Sequence, residues 1–212
     1  MKPQDQCGDN GTSDVLVDKD GTVLYVACYP TSGVSVVDAE GPIKNVGNDA
    51  VLVLDDKNDG VDVMGDLTID GNNVTVYGAG PGSSVIGGNL NIAKNNSIVR
   101  GVRIQGNATI SKNNGTLIDC VIEGDLTITG ENVNVALCEV WGKTTVEANN
   151  AVLVSNKFAS SPLIHAKTKA CNDDVLFIDA NHDQAVAPSE ITGAFTCPVS
   201  QGASAGGPGK KP

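Results

Sequence analysis

The densest group of metal-ligating side chains in the sequence is an acidic turn at residues 55–60, which reads DDKNDG. Clustered carboxylate and amide oxygens are the ligands that Ca²⁺ takes in proteins. The spacing differs from that of an EF-hand loop, and acidic turns without any ion are common on acidic protein surfaces. Asp56, Asn58 and Asp59 are therefore a candidate calcium site, and the sequence predicts no other cofactor.

Six cysteines fall into three pairs: Cys7 with Cys28, Cys171 with Cys197, and Cys120 with Cys138. The first two pairs flank the first hairpin-like segment and the last ordered stretch, so each is a disulfide candidate that closes one end. The third pair is either a ladder of small apolar thiols in the core or a third disulfide. An even count with terminal pairs favours an oxidising compartment, and hence a secreted or cell-surface protein. The sequence has no CxxC motif of the kind that binds zinc.

Motifs for nucleophilic catalysis or phosphate binding are absent from the sequence. There is no GxSxG, no HExxH and no glycine loop of the phosphate-binding kind. The two histidines, His165 and His182, stand outside the regular part of the chain. The lack of these motifs and the isolated positions of the histidines favour a protein that acts through binding or shape over an enzyme.

A sequence repeat of about 18 residues spans residues 65 to 159, and its fold must position these side chains. Its coils begin at Gly65, Gly88, Gly106, Gly124 and Gly142. With the glycine as position 1, positions 3 and 5 are mostly apolar, position 12 is always aliphatic, and positions 15 and 17 also face inward. Each coil then has three short strands whose inner side needs a coil above and below. This pattern predicts a parallel β-solenoid.

Position 9 is asparagine in every coil: Asn73, Asn96, Asn114, Asn132 and Asn150. Asparagine tolerates the left-handed backbone conformation that a tight bend requires. Stacked asparagines can also pass amide hydrogen bonds from one coil to the next. We therefore predict a structural ladder of asparagines inside one bend of the solenoid.

The handedness follows from the spacing of the apolar positions. Left-handed hexapeptide solenoids repeat an aliphatic residue at equal intervals, whereas the apolar pairs of this chain are unequally spaced and an asparagine file occupies one bend. Segments such as GTLIDCVIEGDLTI and NAVLVSNKF resemble the right-handed parallel β-helices of the pectate-lyase-like superfamily, over residues 51–180. The resemblance lies in the repeat pattern, favours a right-handed β-helix, and implies no particular activity.

That resemblance raises a polysaccharide lyase or hydrolase as one alternative. Such an enzyme needs paired carboxylates, or a calcium site, beside a basic residue in a groove. Asp66 and Asp125 lie three coils apart by register, and Arg100 and Arg103 lie near another corner. No dense catalytic group joins them, so no catalytic residue is predicted.

The whole chain is predicted to be an all-β, single-domain solenoid with irregular capped ends. Four parts are expected: an N-terminal extension with capping strands at residues 1–50, the β-helix at 51–180, a C-terminal cap at 181–200 and a flexible tail at 201–212. An insertion at residues 78–84 lengthens the first coil to 23 residues and is expected to form a protruding corner.

One further coil is predicted after Phe158. Asn172 and Val175 repeat the spacing of Asn150 and Leu153 after four extra residues. This offset predicts that Asn172 takes the bend position of the added coil.

The net charge of −11 limits the classes of partner. An acidic chain repels phosphate backbones, which argues against nucleic-acid binding. No apolar run has the length of a membrane span. The first ten residues, MKPQDQCGDN, lack the apolar stretch of a signal peptide, so we expect either a mature form or no export by that route.

The outward positions give three functional hypotheses. We favour a structural protein, in which a stiff rod acts through its ends as a filament or matrix subunit or as an adhesin, by self-association or surface contact. Contact with a polysaccharide is the alternative, in which Trp141 is either one contact or, as we favour, an edge residue that packs on its neighbouring coil. A file of threonines, Thr68, Thr109, Thr127 and Thr145, permits ice binding, which is the weakest of the three.

Overall fold

The structure, a computed structural model, describes residues 11–17, 23–30, 34–37, 39, 41–54, 61–165 and 170–197. It confirms the all-β parallel solenoid that the repeat predicts. Corresponding segments of successive coils lie side by side, so that Ala108 pairs with Leu126 and Ile110 with Ile128 in parallel register. Among the described residues, no helix has the length and apolar character needed to cross a membrane.

Three sheets run along the solenoid, one for each strand of a coil. Sheet 1 has six strands: Leu67–Ile69, Leu90–Ile92, Ala108–Ile110, Leu126–Ile128, Thr144–Val146 and Leu163–Ile164. Sheet 2 has eight: Val34–Val37, Val51–Leu54, Thr75–Tyr77, Ile98–Arg100, Thr116–Ile118, Asn134–Ala136, Val152–Val154 and Ala170–Asn172. Sheet 3 has seven: Val85–Ile86, Arg103–Ile104, Val121–Ile122, Glu139–Val140, Lys157–Phe158, Asp174–Phe177 and the antiparallel Ile191–Phe195.

The core is a narrow column filled by the positions that the sequence assigned to it. Positions 3, 5, 12, 15 and 17 are buried in all four uninterrupted coils, including the polar Thr144 and Asn156. Residues such as Leu126 and Leu117 have no exposed surface. Full burial of one such side chain stabilises the fold by about 1.5–3 kcal/mol, so the stacked coils supply most of the favourable free energy.

The glycine that begins each coil makes room for a row of hydrogen-bonded polar side chains at position 2. The side-chain oxygen at position 2 of one coil accepts the backbone N–H of position 2 in the next, as from Asn107 to Asn89 at 2.8 Å. A Cβ at Gly106 would lie only 2.6 Å from the same Asn89 oxygen. Any larger residue at position 1 would therefore displace this hydrogen bond.

The asparagine file at position 9 forms a ladder on the outside of the solenoid in two runs, one from Asn73 to Asn114 and one between Asn132 and Asn150. All five residues have φ between 55° and 59°, as the left-handed bend requires. Asn96 Nδ2–H donates to Asn73 Oδ1 at 3.0 Å, and Asn114 Nδ2–H donates to Asn96 Oδ1 at 2.7 Å. The five side chains are exposed, so the predicted internal location is wrong. The left-handed bend carries the side chain along the outer surface, where the amides still align with the solenoid axis.

A second left-handed bend lies at position 14 and was not predicted. Its residues are Gly101, Asp119, Leu137, Ser155 and Asp173, with φ between 52° and 66°. Four of the five are Gly, Asp or Ser, which favour turns, but Leu137 departs from that pattern. The tight connection between sheets 2 and 3 imposes the conformation, even on Leu137.

The added coil after Phe158 exists, but its predicted register is wrong. Cys171 pairs with Leu153, and Val175 pairs with Lys157. The coil therefore keeps the 18-residue spacing, which also separates Asn156 from the bonded Asp174. Asn172 therefore lies in a strand and does not form the bend. The spacing from Asn172 to Val175, which suggested a four-residue insertion, matches that of the earlier coil by coincidence.

The insertion at residues 78–84 forms a compact corner. Ser83 and Ser84 donate their N–H groups to the Gly80 carbonyl at 2.9 Å, and Gly80 N–H donates to Gly101 O at 3.0 Å. The buried Ser84 hydroxyl accepts the N–H of Ala79. These bonds fix the extra residues against the next coil.

The two ends differ in construction. At the N-terminal side, Gly11–Val17 and Val23–Pro30 form their own antiparallel pair, and Val34–Val37 begins sheet 2. At the other end, Ile191–Phe195 folds back antiparallel onto Asp174–Phe177 after a 3₁₀ turn, Pro188–Glu190.

A disulfide and an aromatic contact hold the C-terminal cap in place. The disulfide joins Cys171 to Cys197, one of the two terminal pairs that the sequence singled out. The Phe195 ring lies 5.9 Å from the ring of Phe158 and closes the top of the core. Cys7 and the side chain of Cys28 lie outside the described residues, so their pairing stays a prediction.

Candidate functional site

Most of the residues that the sequence nominated for chemistry do not converge. Asp56, Asn58 and Asp59 lie outside the described residues, so the calcium site stays a prediction. Within the described part of the chain, no group of three or more His, Cys, Asp or Glu side chains is placed to hold a metal ion. Both His165 and His182 are exposed.

Cys120 and Cys138 are unbonded thiols in the core, stacked at position 15 of neighbouring coils. Each Sγ–H donates to the carbonyl two residues earlier, Ile118 O at 3.2 Å and Ala136 O at 3.3 Å. Burial, with a smaller effect from the Cys120 thiol, raises the pKa of Cys138 well above its ordinary value. A thiol held in its protonated form is a poor nucleophile, so this pair serves packing.

The outer face of sheet 1 carries short polar side chains and no charged cluster among the residues in register with Thr109, Thr127 and Thr145. Thr109, Thr127 and Thr145 lie side by side in register and are half-buried. Asn91 interrupts the file below Thr109. The file has one threonine per coil, which is consistent with the preference of threonine for exposed strands.

Sheet 3 carries the chemically distinctive surface. A cleft of about 360 Å³ opens on its outer face, lined by Arg103, Gln105, Glu123, Trp141 and Gln184. The first four come from positions 16 and 18 of three successive coils, and Gln184 comes from the segment between the last two strands of sheet 3, Asp174–Phe177 and Ile191–Phe195. The sequence pattern singled out Arg103 and Trp141 separately and did not indicate the site. The outward position 18, with Gln105, Glu123 and Trp141 in file, is the signal that could have found it.

Arg103 and Glu123 form an ion pair in the cleft. Arg103 Nη1–H donates to Glu123 Oε1 at 2.8 Å, and the two side chains are 25% and 33% exposed. Arg103 Nε–H also donates to the carbonyl of Pro81, at 3.2 Å, in the corner that the insertion forms. A guanidinium has five N–H donors. The two bonds therefore fix its plane and leave the other donors for a ligand.

Trp141 forms the aromatic wall. Its ring meets Phe177 edge to face, with the centroids 5.0 Å apart and the planes at 72°. The indole is partly exposed, while its Nε1 is buried without a hydrogen-bond acceptor among the described residues. Because contacts with Phe177 hold the ring, it is a preorganised apolar surface beside the polar groups.

The remaining wall belongs to the segment that leads to the cap. Glu190, itself buried, accepts the N–H groups of Ala180 at 3.0 Å and Ala187 at 2.9 Å. Gln184 stands in this segment with φ 60°, and its N–H contacts Asp179 Oδ2 at 3.4 Å. The segment is therefore ordered by its own hydrogen bonds, and the exposed Gln184 amide is available to the cleft.

A second cleft, of about 440 Å³, lies along the asparagine bend, lined by Asn114, Asn132, Asn134, Asn150 and Val152. It contains neither an aromatic ring nor a charged group. Two of its amides are paired with one another, since Asn150 Nδ2–H donates to Asn132 Oδ1 at 3.2 Å. The sheet 3 cleft is therefore the stronger candidate site.

Together, the cleft on sheet 3 offers an apolar ring, a guanidinium, a carboxylate and two amides on a rigid support. Such a set can stack against a ring-shaped ligand and exchange hydrogen bonds with its hydroxyl groups. Glu123 is the one acidic residue among the lining residues. Comparisons with protein-family models, with curated proteins and with solved structures found no match, so the role of the cleft is argued from its geometry.

Proposed function

We propose that the protein is a rigid secreted or cell-surface β-solenoid that attaches to a polysaccharide through the sheet 3 cleft. The observation that carries this proposal is the placement of Trp141 beside three groups with free hydrogen-bonding capacity, Arg103, Gln105 and Gln184. The protein then acts as an adhesin or matrix component whose contact lies on the side of the rod.

The chemistry of sugars fits this set of groups. A pyranose has an apolar face of C–H bonds, which packs on aromatic rings, and a rim of hydroxyl groups that both donate and accept. Side-chain amides such as those of Gln105 and Gln184 also donate and accept, so each can bind two neighbouring hydroxyls. A cleft of about 360 Å³ lies within the range of small-molecule sites and accommodates a short stretch of a glycan.

Binding is favoured over cleavage because Glu123, the one carboxylate that lines the cleft, is held in an ion pair. Glycosidases use two carboxyl groups, one as acid and one as base or nucleophile. Glu123 accepts a hydrogen bond from Arg103 at 2.8 Å, which suits a fixed partner better than a proton-transfer group. The polysaccharide lyase therefore ranks below a binding protein.

Two further observations support the cellular setting and the superfamily. The Cys171–Cys197 disulfide fits an oxidising compartment. The three-sheet coil with an asparagine bend is compatible with a right-handed β-helix of the pectate-lyase-like kind. We propose both on these grounds, and far-ultraviolet spectra and a crystal structure would test the superfamily assignment.

A glycan array followed by isothermal titration calorimetry tests the proposal. We expect the wild-type chain to bind at least one class of polysaccharide and Trp141→Ala to lose about tenfold or more in affinity, which corresponds to about 1.4 kcal/mol. Trp141→Phe should recover part of the loss, and Thr127→Ala on sheet 1 serves as the matched surface control. Equal binding by Trp141→Ala, or no binding to any glycan, would contradict the proposal.

Self-association through the ends is the second candidate function. Leu163–Ile164 and Ala170–Asn172 are the last strands of sheets 1 and 2, each paired on one side among the described strands. Unpaired strand edges favour pairing with another chain, and Leu163 is 42% exposed. The cap around Phe195 covers the core, so such contacts would involve these edges.

Light scattering over a wide concentration range tests this second candidate. We expect oligomers that Leu163→Lys weakens, with Ile178→Lys as a control at another exposed apolar side chain. A protein that is monomeric at every concentration would rule it out.

A further inference from the structure

We propose that the Arg103–Glu123 pair makes the sheet 3 cleft selective for neutral, hydroxyl-rich sugars over acidic sugars such as uronates. This inference rests on the proposed function and specifies its ligand class. It is carried by the charge balance of the cleft and by the two anchors of the guanidinium.

The charge balance comes first. Arg103 is the one cation among the lining residues, and Glu123 lies against it at 2.8 Å. A ligand carboxylate therefore meets no surplus positive charge, and it must approach an existing carboxylate at close range. In a partly desolvated cleft, like charges a few ångströms apart repel strongly.

The surroundings do not alter that balance. On the same face of sheet 3, Lys157 Nζ pairs with Glu139 Oε1 at 2.6 Å, so its charge is compensated as well. The chain as a whole has a net charge of −11. Long-range attraction of a polyanionic glycan to this surface is therefore unfavourable.

The anchoring of Arg103 adds the second argument. One donor is held by Glu123 and another by the Pro81 carbonyl, so the guanidinium cannot turn to form a fork with a ligand carboxylate without losing a bond. Its remaining N–H groups can still donate singly to hydroxyl oxygens. Gln105, Gln184 and Glu123 then supply the acceptors that hydroxyl donors need, whereas a uronate carboxylate cannot donate to any of them and is repelled by Glu123.

The matched substitution is Glu123→Gln, which keeps a hydrogen-bond acceptor near Arg103 and removes the negative charge. We expect this variant to bind acidic oligosaccharides at least tenfold more tightly than the wild type does, with an affinity that falls as salt is raised. Because Glu123 also contributes an acceptor to the cleft, the affinity of the variant for neutral oligosaccharides can fall, so the quantity to compare is the ratio of acidic to neutral affinity, which should rise at least tenfold. Glu123→Asp, which keeps the charge, should retain the preference of the wild type.

The experiment is calorimetric titration with oligosaccharide pairs of equal length: glucose with glucuronate, galactose with galacturonate, and mannose with mannuronate units. Glu139→Gln, which neutralises the other pair on this face, is the control and should leave the preference unchanged. Thermal unfolding of each variant confirms that it is folded.

The outcomes separate the two proposals. Tighter binding of a neutral oligosaccharide by the wild type, with a gain for acidic ones in Glu123→Gln, supports the inference. Wild-type binding of a uronate oligosaccharide at least as tight as that of its neutral counterpart overturns the inference and leaves saccharide binding in place. Failure of every pair with wild type and variants alike refutes the proposed function, and the inference with it.

Discussion

Removing the buried charge of Asp174 should abolish a pH dependence of stability that is unusual for a carboxylate. Asp174 has no exposed surface, and its Oδ1 accepts both the backbone N–H and the Nδ2–H of Asn156 at 2.8 Å. Its Oδ2 is buried without a donor among the described residues. Burial raises the pKa of Asp174 from 3.8 to about 6, although the bonds from Asn156 act in the opposite direction.

The sign and size of the effect follow from linkage. Because the pKa of Asp174 is higher in the folded state, the folded chain binds this proton more tightly than the unfolded chain does. This group therefore adds stability as the pH falls through 6, and the gain is complete below about 4. The rise from 3.8 to about 6 corresponds to about 3 kcal/mol, at about 1.4 kcal/mol for each pKa unit.

Asp174→Asn replaces the carboxylate with an uncharged group of the same shape. The variant keeps the oxygen that Asn156 needs but leaves a buried NH₂ without a partner, which costs about 1–2 kcal/mol. At pH 8 we therefore expect Asn at this site to raise the free energy of unfolding by about 1–2 kcal/mol. At pH 4 the wild type should be the more stable of the two.

Urea unfolding at pH 4 to 8, followed by the fluorescence of the single tryptophan, measures this difference. The quantity to compare is wild type minus variant at each pH, since other carboxylates titrate in both chains. Asp173→Asn, at the exposed neighbouring residue, removes a charge that makes only the smallest contribution to raising the pKa of Asp174, so this variant should retain most of the pH dependence. A difference that is constant across this range, or a wild type that gains on the variant as the pH rises, would refute the reasoning.

Three other predictions concern stability alone. Asn114→Ala should lower the free energy of unfolding by about 1–2 kcal/mol, because it removes a ladder bond and strains a left-handed bend. Asn114→Gly removes the same bond without the strain, so urea unfolding of both variants separates the two causes. An unchanged midpoint for both would show that the ladder does not stabilise the fold. Leu126→Ala should cost about 2–5 kcal/mol in the same assay, since the core has no room to collapse, and a loss below 1 kcal/mol would contradict the tight packing. Reduction of the Cys171–Cys197 disulfide, whose cysteines are 26 residues apart, should lower the free energy of unfolding by about 3 kcal/mol. Calorimetry with and without reductant measures this loss, and an unchanged transition would show that the cap is held by packing alone.

The sequence predicted the interior of the coils well for a physical reason. Positions such as Leu117, Ile122 and Leu126 recur at a fixed spacing because each packs on its equivalent one coil away. A buried position tolerates few residue types, so periodicity in composition reports burial directly.

The sequence was a weaker guide to the surface. The asparagine file was recognised, but a left-handed bend selects asparagine whether the side chain lies inside or outside, so its location was open to error. The bend at Leu137 escaped notice because the fold, and not the residue, determines its backbone.

The cleft could not be predicted for a related reason. It joins position 16 of one coil, position 18 of three coils and Gln184 from the irregular segment before the cap. No periodicity places that last segment, since its course depends on the buried Glu190 and on strand Ile191–Phe195. A site of this kind becomes visible only when the chain after the repeat is folded back onto it.

The distribution of the cleft over three coils and the cap has a mechanical consequence. A stack in which each coil touches only its neighbours loses order progressively from its ends, since no long-range contact resists the fraying. A ligand that touches Arg103, Trp141 and Gln184 at once would act as a brace across four layers. Occupancy of the cleft should therefore slow amide exchange along the whole C-terminal half, well beyond the residues in contact with the sugar.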